Sequence, residues 1–233
     1  MKKIRPIVGA IPLVGTLAKA VAAIARSPFF RGSIDYWEKR YTKGGTSGSG
    51  SFGESARFKA EILNDFVKKH QIQSIIEFGC GDGNQLALAE YPDYIGLDVS
   101  KAAVELCKKR FESDPKKSFF LYDSACFMDR RGLFRAELAL SLDVIYHLVE
   151  NEVFELYMKH LFIEANRFVI IFSTDTDIKP WYQSPHVRHR RFSEWIAVQF
   201  PQWTLFNRIP NRLKTASRPD AELAADFFIY QKN

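Results

Sequence analysis

Apolar and amphipathic stretches alternate along the chain from Ser74 onward. Each short apolar run has the length of a strand, and the stretch after it carries apolar residues at helical spacing. This alternation predicts an α/β fold with a mostly parallel sheet that helices cover on both faces. The predicted strands are Ser74–Phe78, Tyr94–Leu97, Ser118–Tyr122, Leu138–Leu142 and Phe168–Phe172, and the clearest helices are Lys101–Glu112 and Glu152–Ile163.

Two later apolar runs, Thr204–Phe206 and Asp226–Tyr230, have no long helix between them. A parallel connection needs a crossover of a dozen or more residues, usually a helix, so this pair is predicted to be antiparallel. The chain as a whole therefore predicts a doubly wound, seven-stranded sheet with an antiparallel edge.

The first 53 residues follow a different pattern. A Gly/Ser-rich loop, residues 44–53, is flanked by Tyr36, Trp37, Tyr41 and Phe52, and a helix is predicted from Glu54 to His70. A simple linker has no need of aromatic side chains, whereas a lid over a ligand does. We therefore divide the chain into residues 1–53, an N-terminal amphipathic helix with a lid, and residues 54–233, the main domain.

The net charge of +6 is concentrated towards the two ends of the chain, which suits an anionic partner or a solvated basic face. The start of the chain is similar to a signal peptide, but Lys19 and Arg26 argue against one, and the apolar run is too short to span a bilayer. Residues 7–26 have the spacing of an amphipathic helix, which could lie on a membrane or pack on the protein. Three scattered cysteines indicate neither disulfides nor a metal site, so a cytoplasmic location is expected, in solution or at the inner membrane face.

Three glycines, Gly79, Gly81 and Gly83, follow the first predicted strand, where an open α/β sheet binds its ligands. A dinucleotide fingerprint needs a glycine where Asn84 stands. Glu77 and Asp82 would also face an incoming pyrophosphate with unfavourable charge. A cationic ligand with a ribose for Asp98 fits better, and a nicotinamide-dependent oxidoreductase remains an alternative.

Two stretches, "IIEFGCGDGNQL" and "YIGLDVS", resemble the first two motifs of class I S-adenosylmethionine-dependent methyltransferases. "YDSA" and "LSLDVIYHL" resemble the third and fourth motifs. The resemblance implies a Rossmann-like methyltransferase fold, S-adenosylmethionine as cofactor and S-adenosylhomocysteine as product. It implies cofactor contacts at Glu77, Gly79, Cys80, Gly81, Asp98, Val99, Asp123, Ser124, Ala125 and Leu142, with Asp98 on the ribose and Asp123 on the adenine.

The fourth motif brings Asp143 and His147 to the predicted transfer site. Methyl transfer needs alignment and, for a hydroxyl acceptor, a proton acceptor. His147 is the natural base, since its ordinary pKa is near neutrality, and a packing role is the alternative. The D/N-P-P-Y/F signature of methyltransferases acting on planar nitrogens is absent, so a DNA acceptor is not expected, whereas RNA ribose remains open.

A basic stretch, "SPHVRHRRFSEWI", follows the fifth predicted strand. Arginine binds phosphate or carboxylate through two parallel hydrogen bonds, so this stretch predicts an anion site for the acceptor, with a solvated basic loop as the alternative. The predicted acceptor contacts are His186, Arg188, His189 and Arg190, together with Tyr41 of the lid.

The apolar N-terminal helix, the lid and the basic stretch together resemble uncharacterised bacterial methyltransferases that are associated with surface polysaccharides. This resemblance implies O- or N-methylation of a small or glycan-like anionic acceptor, in surface-polysaccharide or secondary metabolism. An RNA methyltransferase is the second hypothesis. A module that binds RNA or membranes and has lost its catalysis is the third.

Overall fold

The computed structural model describes residues 30–213 and 224–233. Its sheet has the strand order β3-β2-β1-β4-β5-β7-β6. The first five strands are mutually parallel, and β7 is antiparallel to both β5 and β6. The strands are β1 (Ser74–Phe78), β2 (Asp93–Asp98), β3 (Lys117–Leu121), β4 (Ala136–Leu142), β5 (Ala165–Ser173), β6 (Trp203–Ile209) and β7 (Asp226–Lys232).

Five α-helices lie within the described residues, together with single 3₁₀ turns at Ser49–Ser51, Leu86–Leu88 and Ile145–His147. The α-helices are α1 (Ser33–Thr42), α2 (Gly53–Lys69), α3 (Lys101–Arg110), α4 (Asn151–Ile163) and α5 (Phe192–Gln199).

The predicted seven-stranded, mostly parallel sheet with an antiparallel edge is confirmed. The predicted bounds were too short for β2, β4, β5, β6 and β7. The missed parts of β4, β5 and β6 contain polar residues that interrupt the apolar pattern, among them Glu137, Arg167 and Asn207. Arg167 at the start of β5 forms an ion pair with Glu137 at the start of β4, 2.8 Å apart. Polar residues on neighbouring strands thus pair with each other at the sheet edge, and a search for apolar runs does not find them.

Helices cover both faces of the sheet. Side chains alternate along β1, so that Ile76 and Phe78 join one apolar core while Ile75 joins the other. The first core contains the buried faces of α4 and α5, and the second contains that of α2. The apolar strands are therefore buried on both sides, as expected of a parallel sheet.

The strand β1 lies between β2 and β4, which makes its carboxyl end the switch point of the sheet. The loops after β1, β2, β4 and β5 all emerge at this edge. Any ligand site of the fold is expected there.

Helix α1 crosses the same edge and is tied to the main domain by polar contacts. The backbone N–H and Oγ of Ser33 donate to the Glu150 carboxylate at 2.9 and 2.7 Å. Further along α1, Glu38 accepts a 2.6 Å hydrogen bond from Ser100, the N-cap of α3. The helix therefore lies over the switch point and is fixed at two places.

The helix predicted for residues 7–26 lies outside the described residues. In the part of the chain that the structure describes, no helix combines the length and apolar character needed to cross a membrane.

Candidate functional site

A cavity separates α1 from the carboxyl ends of β1, β2 and β4. Eight of the ten predicted cofactor residues line it, as do Tyr41, Asp143 and His147. The eight are Glu77, Gly79, Cys80, Gly81, Asp98, Val99, Ser124 and Leu142.

The other two, Asp123 and Ala125, do not line this cavity. Asp123 is exposed, and its Oδ1 accepts the backbone N–H of Ala125 at 2.9 Å. The carboxylate therefore shapes the turn after β3 and faces solvent. Within this turn only Ser124, which is buried, points towards the cavity.

The glycine loop is packed so tightly that side chains have no space at two positions. Gly79 and Gly81 have φ angles of 83° and 59°, which favour glycine. A Cβ on Gly79 would collide with Val144, and a Cβ on Gly81 would collide with Ser47 and with the hydroxyl of Tyr41. The lid therefore rests directly on the backbone of the loop.

Tyr41 and Asp82 also belong to this contact between lid and loop. Tyr41 is hydrogen-bonded to Ser47 at 2.9 Å above the loop, so it lies against the cofactor cavity and not beside the basic stretch. Asp82 accepts the backbone N–H of Ser47 at 3.1 Å, and Ser47 Oγ accepts that of Asp82 at 3.1 Å. The Asp82 carboxylate therefore holds the lid against the glycine loop.

Asp98 lies at the end of β2 with both carboxylate oxygens facing backbone donors. Oδ2 accepts the N–H of Gly81 at 2.8 Å, and Oδ1 accepts that of Ser100 at 2.9 Å. Burial raises the pKa of Asp98 to about 6, although these hydrogen bonds oppose the shift. Each oxygen keeps a free lone pair, so the carboxylate can still accept the two hydroxyls of a ribose.

Glu77 is buried at the end of β1 and accepts a 2.7 Å hydrogen bond from Tyr94. Burial raises the pKa of Glu77 to about 7, so the carboxyl is only partly ionised at neutral pH. A cation bound beside it would favour the ionised form. The prediction that Glu77 faces the ligand agrees with its position in the cavity wall.

Lys59 was missed by sequence reasoning. Its side chain is 1% exposed, it lines the cavity, and its Nζ lies 2.6 Å from Asp143. The sequence signal is a lysine on the apolar face of a predicted helix, between Ala56 and Leu63. A buried lysine needs a negative partner, and at this place it also offers a positive charge to a ligand.

Asp143, a predicted catalytic residue, uses both oxygens within the protein. Oδ2 contacts Lys59, and Oδ1 accepts a 2.9 Å hydrogen bond from Tyr146. Its φ of 61° lies in the left-handed region, which few residues other than glycine adopt. These restraints favour a positioning role for Asp143 over that of a proton acceptor.

Gln85 is a second residue that the sequence did not reveal. Its Nε2 donates to the carbonyl of Ala56 at 3.1 Å, while its Oε1 is buried with no partner among the described residues. An unsatisfied buried acceptor costs free energy comparable to a lost hydrogen bond. Because Gln85 lines the cavity, a ligand N–H group would satisfy this oxygen.

His147 lines the cavity, and its Nδ1 lies 2.9 Å from the backbone carbonyl of His186. Burial lowers the pKa of His147 to about 4, so the ring is neutral at physiological pH. The carbonyl contact requires Nδ1 to carry the proton, which leaves Nε2 as an acceptor. Trp37 of α1 meets the ring edge-on, with centroids 4.9 Å apart.

The four predicted acceptor contacts of the basic stretch lie in different surroundings. His186 stacks on Tyr36 of α1 at 4.1 Å, and Arg190 donates to the carbonyls of Leu148 and Val149. Burial lowers the pKa of Arg190 to about 10, which still leaves it charged. The guanidinium of Arg190 therefore links two segments of the chain through backbone carbonyls, and these N–H groups are not free to bind an anion.

Arg188 and His189, the other two predicted acceptor contacts, lie in an open groove outside the cofactor cavity. Arg188 makes one 3.1 Å bond to the Val149 carbonyl, and His189 Nδ1 pairs with Thr174 at 2.8 Å. Arg191 in the same groove is paired with Asp177 and Glu194. The groove therefore offers fewer free cations than the sequence suggests.

The glycine loop cannot cradle a pyrophosphate, because its N–H groups are already used. Those of Gly79 and Cys80 donate to the carbonyl of Leu97 at 2.7 and 3.0 Å, and that of Gly81 donates to Asp98. A phosphate-binding loop needs such donors free. This geometry argues against a dinucleotide.

The chemistry of the cavity fits S-adenosylmethionine. The ligand carries a sulfonium, an ammonium, a carboxylate and a ribose but no phosphate. The cavity wall supplies Glu77 and the Gln85 Oε1 for cationic groups, Lys59 for a carboxylate and Asp98 for the ribose. Among residues 30–213 and 224–233, no group of three or more His, Cys, Asp or Glu could hold a metal ion.

No protein-family model matches this sequence. A small RNA 2'-O-methyltransferase of Arabidopsis thaliana is 23% identical over 172 residues, which cover 62% of this chain and 18% of that protein. An eEF1A lysine and N-terminal methyltransferase of Mus musculus is 29% identical over 96 residues, or 40% of this chain and 13% of that protein. The chain thus spans less than a fifth of the length of these curated relatives.

Solved structures are similar over more of the chain. The N-methyltransferase NodS from Bradyrhizobium japonicum WM9, in complex with S-adenosylhomocysteine, superposes with a TM-score of 0.66 at 14% identity, covering 86% of this chain and 98% of NodS. This similarity shows the fold: the chain has the Rossmann-like methyltransferase fold that its sequence resembles.

Proposed function

We propose that this protein is an S-adenosylmethionine-dependent methyltransferase. We propose further that it transfers the methyl group to an oxygen or nitrogen of a small or glycan-like acceptor that bears an anionic group. The observation that carries the first proposal is the cavity wall, where Asp98, Lys59 and the unpartnered Gln85 Oε1 match the ribose, carboxylate and ammonium of the cofactor. The methyltransferase fold and the engaged N–H groups of the glycine loop support it.

When bound, S-adenosylmethionine supplies a methyl carbon whose bond to sulfur breaks as a lone pair of the acceptor bonds to it, leaving S-adenosylhomocysteine. The chain contributes orientation and the exclusion of water. Helix α1 provides the cover, because Trp37 and Tyr41 line the cavity from above. Its ties to Glu150 and Ser100 keep this cover in place.

His147 is the proposed proton acceptor for a hydroxyl nucleophile. Its neutral ring presents an unprotonated Nε2, while the His186 carbonyl fixes the opposite side of the ring. With a pKa of about 4 it is a weak base, so it suits proton removal concerted with transfer. Asp143, held by Lys59 and Tyr146, positions the segment that carries His147.

Calorimetric titration with S-adenosylmethionine, S-adenosylhomocysteine and NADH tests the cofactor proposal. We expect saturable binding of the first two at micromolar concentrations and none of NADH. Binding of NADH in preference to S-adenosylhomocysteine would revive the oxidoreductase alternative and contradict the proposal.

An RNA acceptor is the second candidate, favoured by the similarity to a small RNA 2'-O-methyltransferase and by the net charge of +6. Transfer of a labelled methyl group to short RNAs and to phosphorylated sugars in parallel separates the two. RNA binding should weaken steeply with added salt, because its phosphates release counterions on binding.

We propose a role in surface-polysaccharide or secondary metabolism, with residues 7–26 at the inner face of the cytoplasmic membrane. Co-sedimentation of the full chain with anionic lipid vesicles tests the membrane contact, and an equal yield in the supernatant with and without vesicles would contradict it.

A further inference from the structure

The basic stretch contacts both helix α1 and the turn that carries His147. Two hydrogen bonds join it to the turn. The His186 carbonyl lies 2.9 Å from His147 Nδ1. The backbone N–H of Arg188 donates to the Tyr146 carbonyl at 2.7 Å. The His186 ring stacks on Tyr36 of α1, with centroids 4.1 Å apart and ring planes inclined by 9°. His186 therefore contacts α1 through its ring and the transfer site through its carbonyl.

Arg40 connects this stacked pair to the Gly/Ser-rich lid loop. Its Nη1 donates to the Tyr36 hydroxyl at 3.2 Å, and the same hydroxyl lies 3.3 Å from His186 Nε2. Its Nε donates to the carbonyl of Thr46 in the lid loop, and its guanidinium lies over the Trp37 ring. The lid loop, helix α1 and His186 thus form one connected set of contacts.

The position of the proton on the neutral His147 ring decides whether this residue can act as a base. With the proton on Nδ1, the ring donates to the His186 carbonyl, and Nε2 can take the proton of an acceptor hydroxyl while the acceptor oxygen bonds to the methyl carbon and the carbon–sulfur bond breaks. With the proton on Nε2, that nitrogen has no lone pair to offer. The hydrogen bond made by one ring nitrogen sets the protonation of the other. The His186 carbonyl therefore selects the form of His147 that can accept a proton.

We propose that Tyr36 is a positioning residue for methyl transfer. Its ring holds His186 so that the carbonyl of that residue keeps the His147 proton on Nδ1 and leaves Nε2 unprotonated. The helix that covers the cofactor cavity thereby also sets the protonation of the base. This inference rests on the proposed function, since a base has a role only beside a methyl donor.

Hydrogen bonds within the basic stretch offer a different explanation for the position of the carbonyl. Arg188 and Arg190 donate to the carbonyls of Tyr146, Leu148 and Val149. If these bonds alone hold the His186 carbonyl, Tyr36 can be removed with no change at His147.

Proton–nitrogen correlation spectra of the isotope-labelled full chain distinguish the two explanations, because they show which ring nitrogen of each of the five histidines carries the proton. The chain is saturated with S-adenosylhomocysteine at neutral pH, and loss of signals in His147→Gln assigns those of His147. In the wild type we expect the Nδ1-protonated form to exceed the Nε2-protonated form about ten-fold or more. In Tyr36→Ala this ratio should fall at least about five-fold, the loss expected from one hydrogen bond.

Further variants separate the ring of Tyr36 from its hydroxyl and from the rest of α1. Tyr36→Phe keeps the stacked ring and should retain the wild-type ratio. His186→Ala keeps the carbonyl but removes the ring, so it should lower the ratio as much as Tyr36→Ala does. The double variant should lower it no further, because both changes remove the same contact. The matched control Lys39→Ala removes only an exposed ion pair with Asp35 on the same helix and should not change the ratio.

The outcomes separate this inference from the proposed function. An unchanged ratio in folded Tyr36→Ala and His186→Ala overturns the inference, as does a wild-type His147 with its proton on Nε2. Calorimetry of the same samples should show that Tyr36→Ala still binds S-adenosylhomocysteine, because Tyr36 does not line the cofactor cavity. If the wild-type chain does not bind S-adenosylhomocysteine, the proposed function is wrong, whatever the histidine spectra show.

Discussion

The cofactor side and the acceptor side of the site are built in different ways. On the cofactor side, Asp98 is fixed by backbone N–H groups of its own and the neighbouring loop. On the acceptor side, Asp143 is fixed by side chains, one of them 84 residues away in the sequence. Local backbone contacts leave a contiguous motif, whereas distant side-chain contacts do not. The cofactor side can therefore be predicted from a sequence motif, whereas the acceptor side is formed by residues that only the folded chain brings together.

Breaking the ion pair on the acceptor side should have the largest effect. Lys59→Met leaves the Asp143 carboxylate without its cation in a mostly buried place, which costs about 3 kcal/mol or more of unfolding free energy. Chemical denaturation measures this loss. The double variant Lys59→Met with Asp143→Asn is the control, since asparagine tolerates the positive φ and carries no charge. If the double variant is no more stable than Lys59→Met, the pair is not what fixes this side.

On the cofactor side the largest effect should fall on binding. Asp98→Ala removes the acceptor for the ribose hydroxyls and should lower the affinity for S-adenosylhomocysteine about 100-fold. This loss is expected because charge-assisted hydrogen bonds contribute about 1.5–3 kcal/mol each. Calorimetry measures this change. Asp123→Ala is the matched control, because that carboxylate faces solvent, and it should leave the affinity unchanged. A greater loss in Asp123→Ala would reverse the assignment of the two acids.

These two residues also show how far the sequence reaches. The strand pattern predicted every strand of the sheet, and the motif resemblance placed eight of ten cofactor residues in the cavity wall. The sequence did not show that the Asp123 carboxylate accepts the N–H of Ala125, because the conformation of a short turn decides where each of its side chains lies. Nor did it show the hydrogen bonds from Arg190 to the carbonyls of Leu148 and Val149, since no local pattern reveals contacts between residues some 40 positions apart.

Gln85 joins the two sides, because its amide nitrogen donates to Ala56 of α2 and the residue also lines the cofactor cavity. Gln85→Leu removes the acceptor proposed for the ammonium group and should weaken S-adenosylmethionine roughly ten-fold, about the value of one hydrogen bond. Stability should change little, because the lost hydrogen bond to the Ala56 carbonyl is offset by removal of a buried unsatisfied oxygen. Unchanged affinity in calorimetry would show that the oxygen is satisfied in another way.

We expect the smallest effect in the pH dependence of stability. The contributions of His147 on the acceptor side and Glu77 on the cofactor side change with pH in opposite directions. Burial lowers the pKa of His147 from 6.5 to about 4, so between these values the unfolded chain binds more protons and stability from this group rises with pH. Burial raises the pKa of Glu77 from 4.5 to about 7, so here the folded chain binds more protons and stability falls as pH rises. Over pH 4.5–6.5 the two slopes largely cancel in the wild-type chain.

Removing either group should expose the slope of the other. His147→Gln keeps a donor for the His186 carbonyl, so its unfolding free energy should fall with rising pH relative to the wild type. Glu77→Gln keeps an acceptor for the Tyr94 hydroxyl, so its unfolding free energy should rise with pH relative to the wild type. Denaturant titrations at half-unit intervals of pH measure both. If the unfolding free energies of the three proteins change with pH in the same way, neither His147 nor Glu77 is buried in solution. Burial is what shifts the two pKa values in opposite directions.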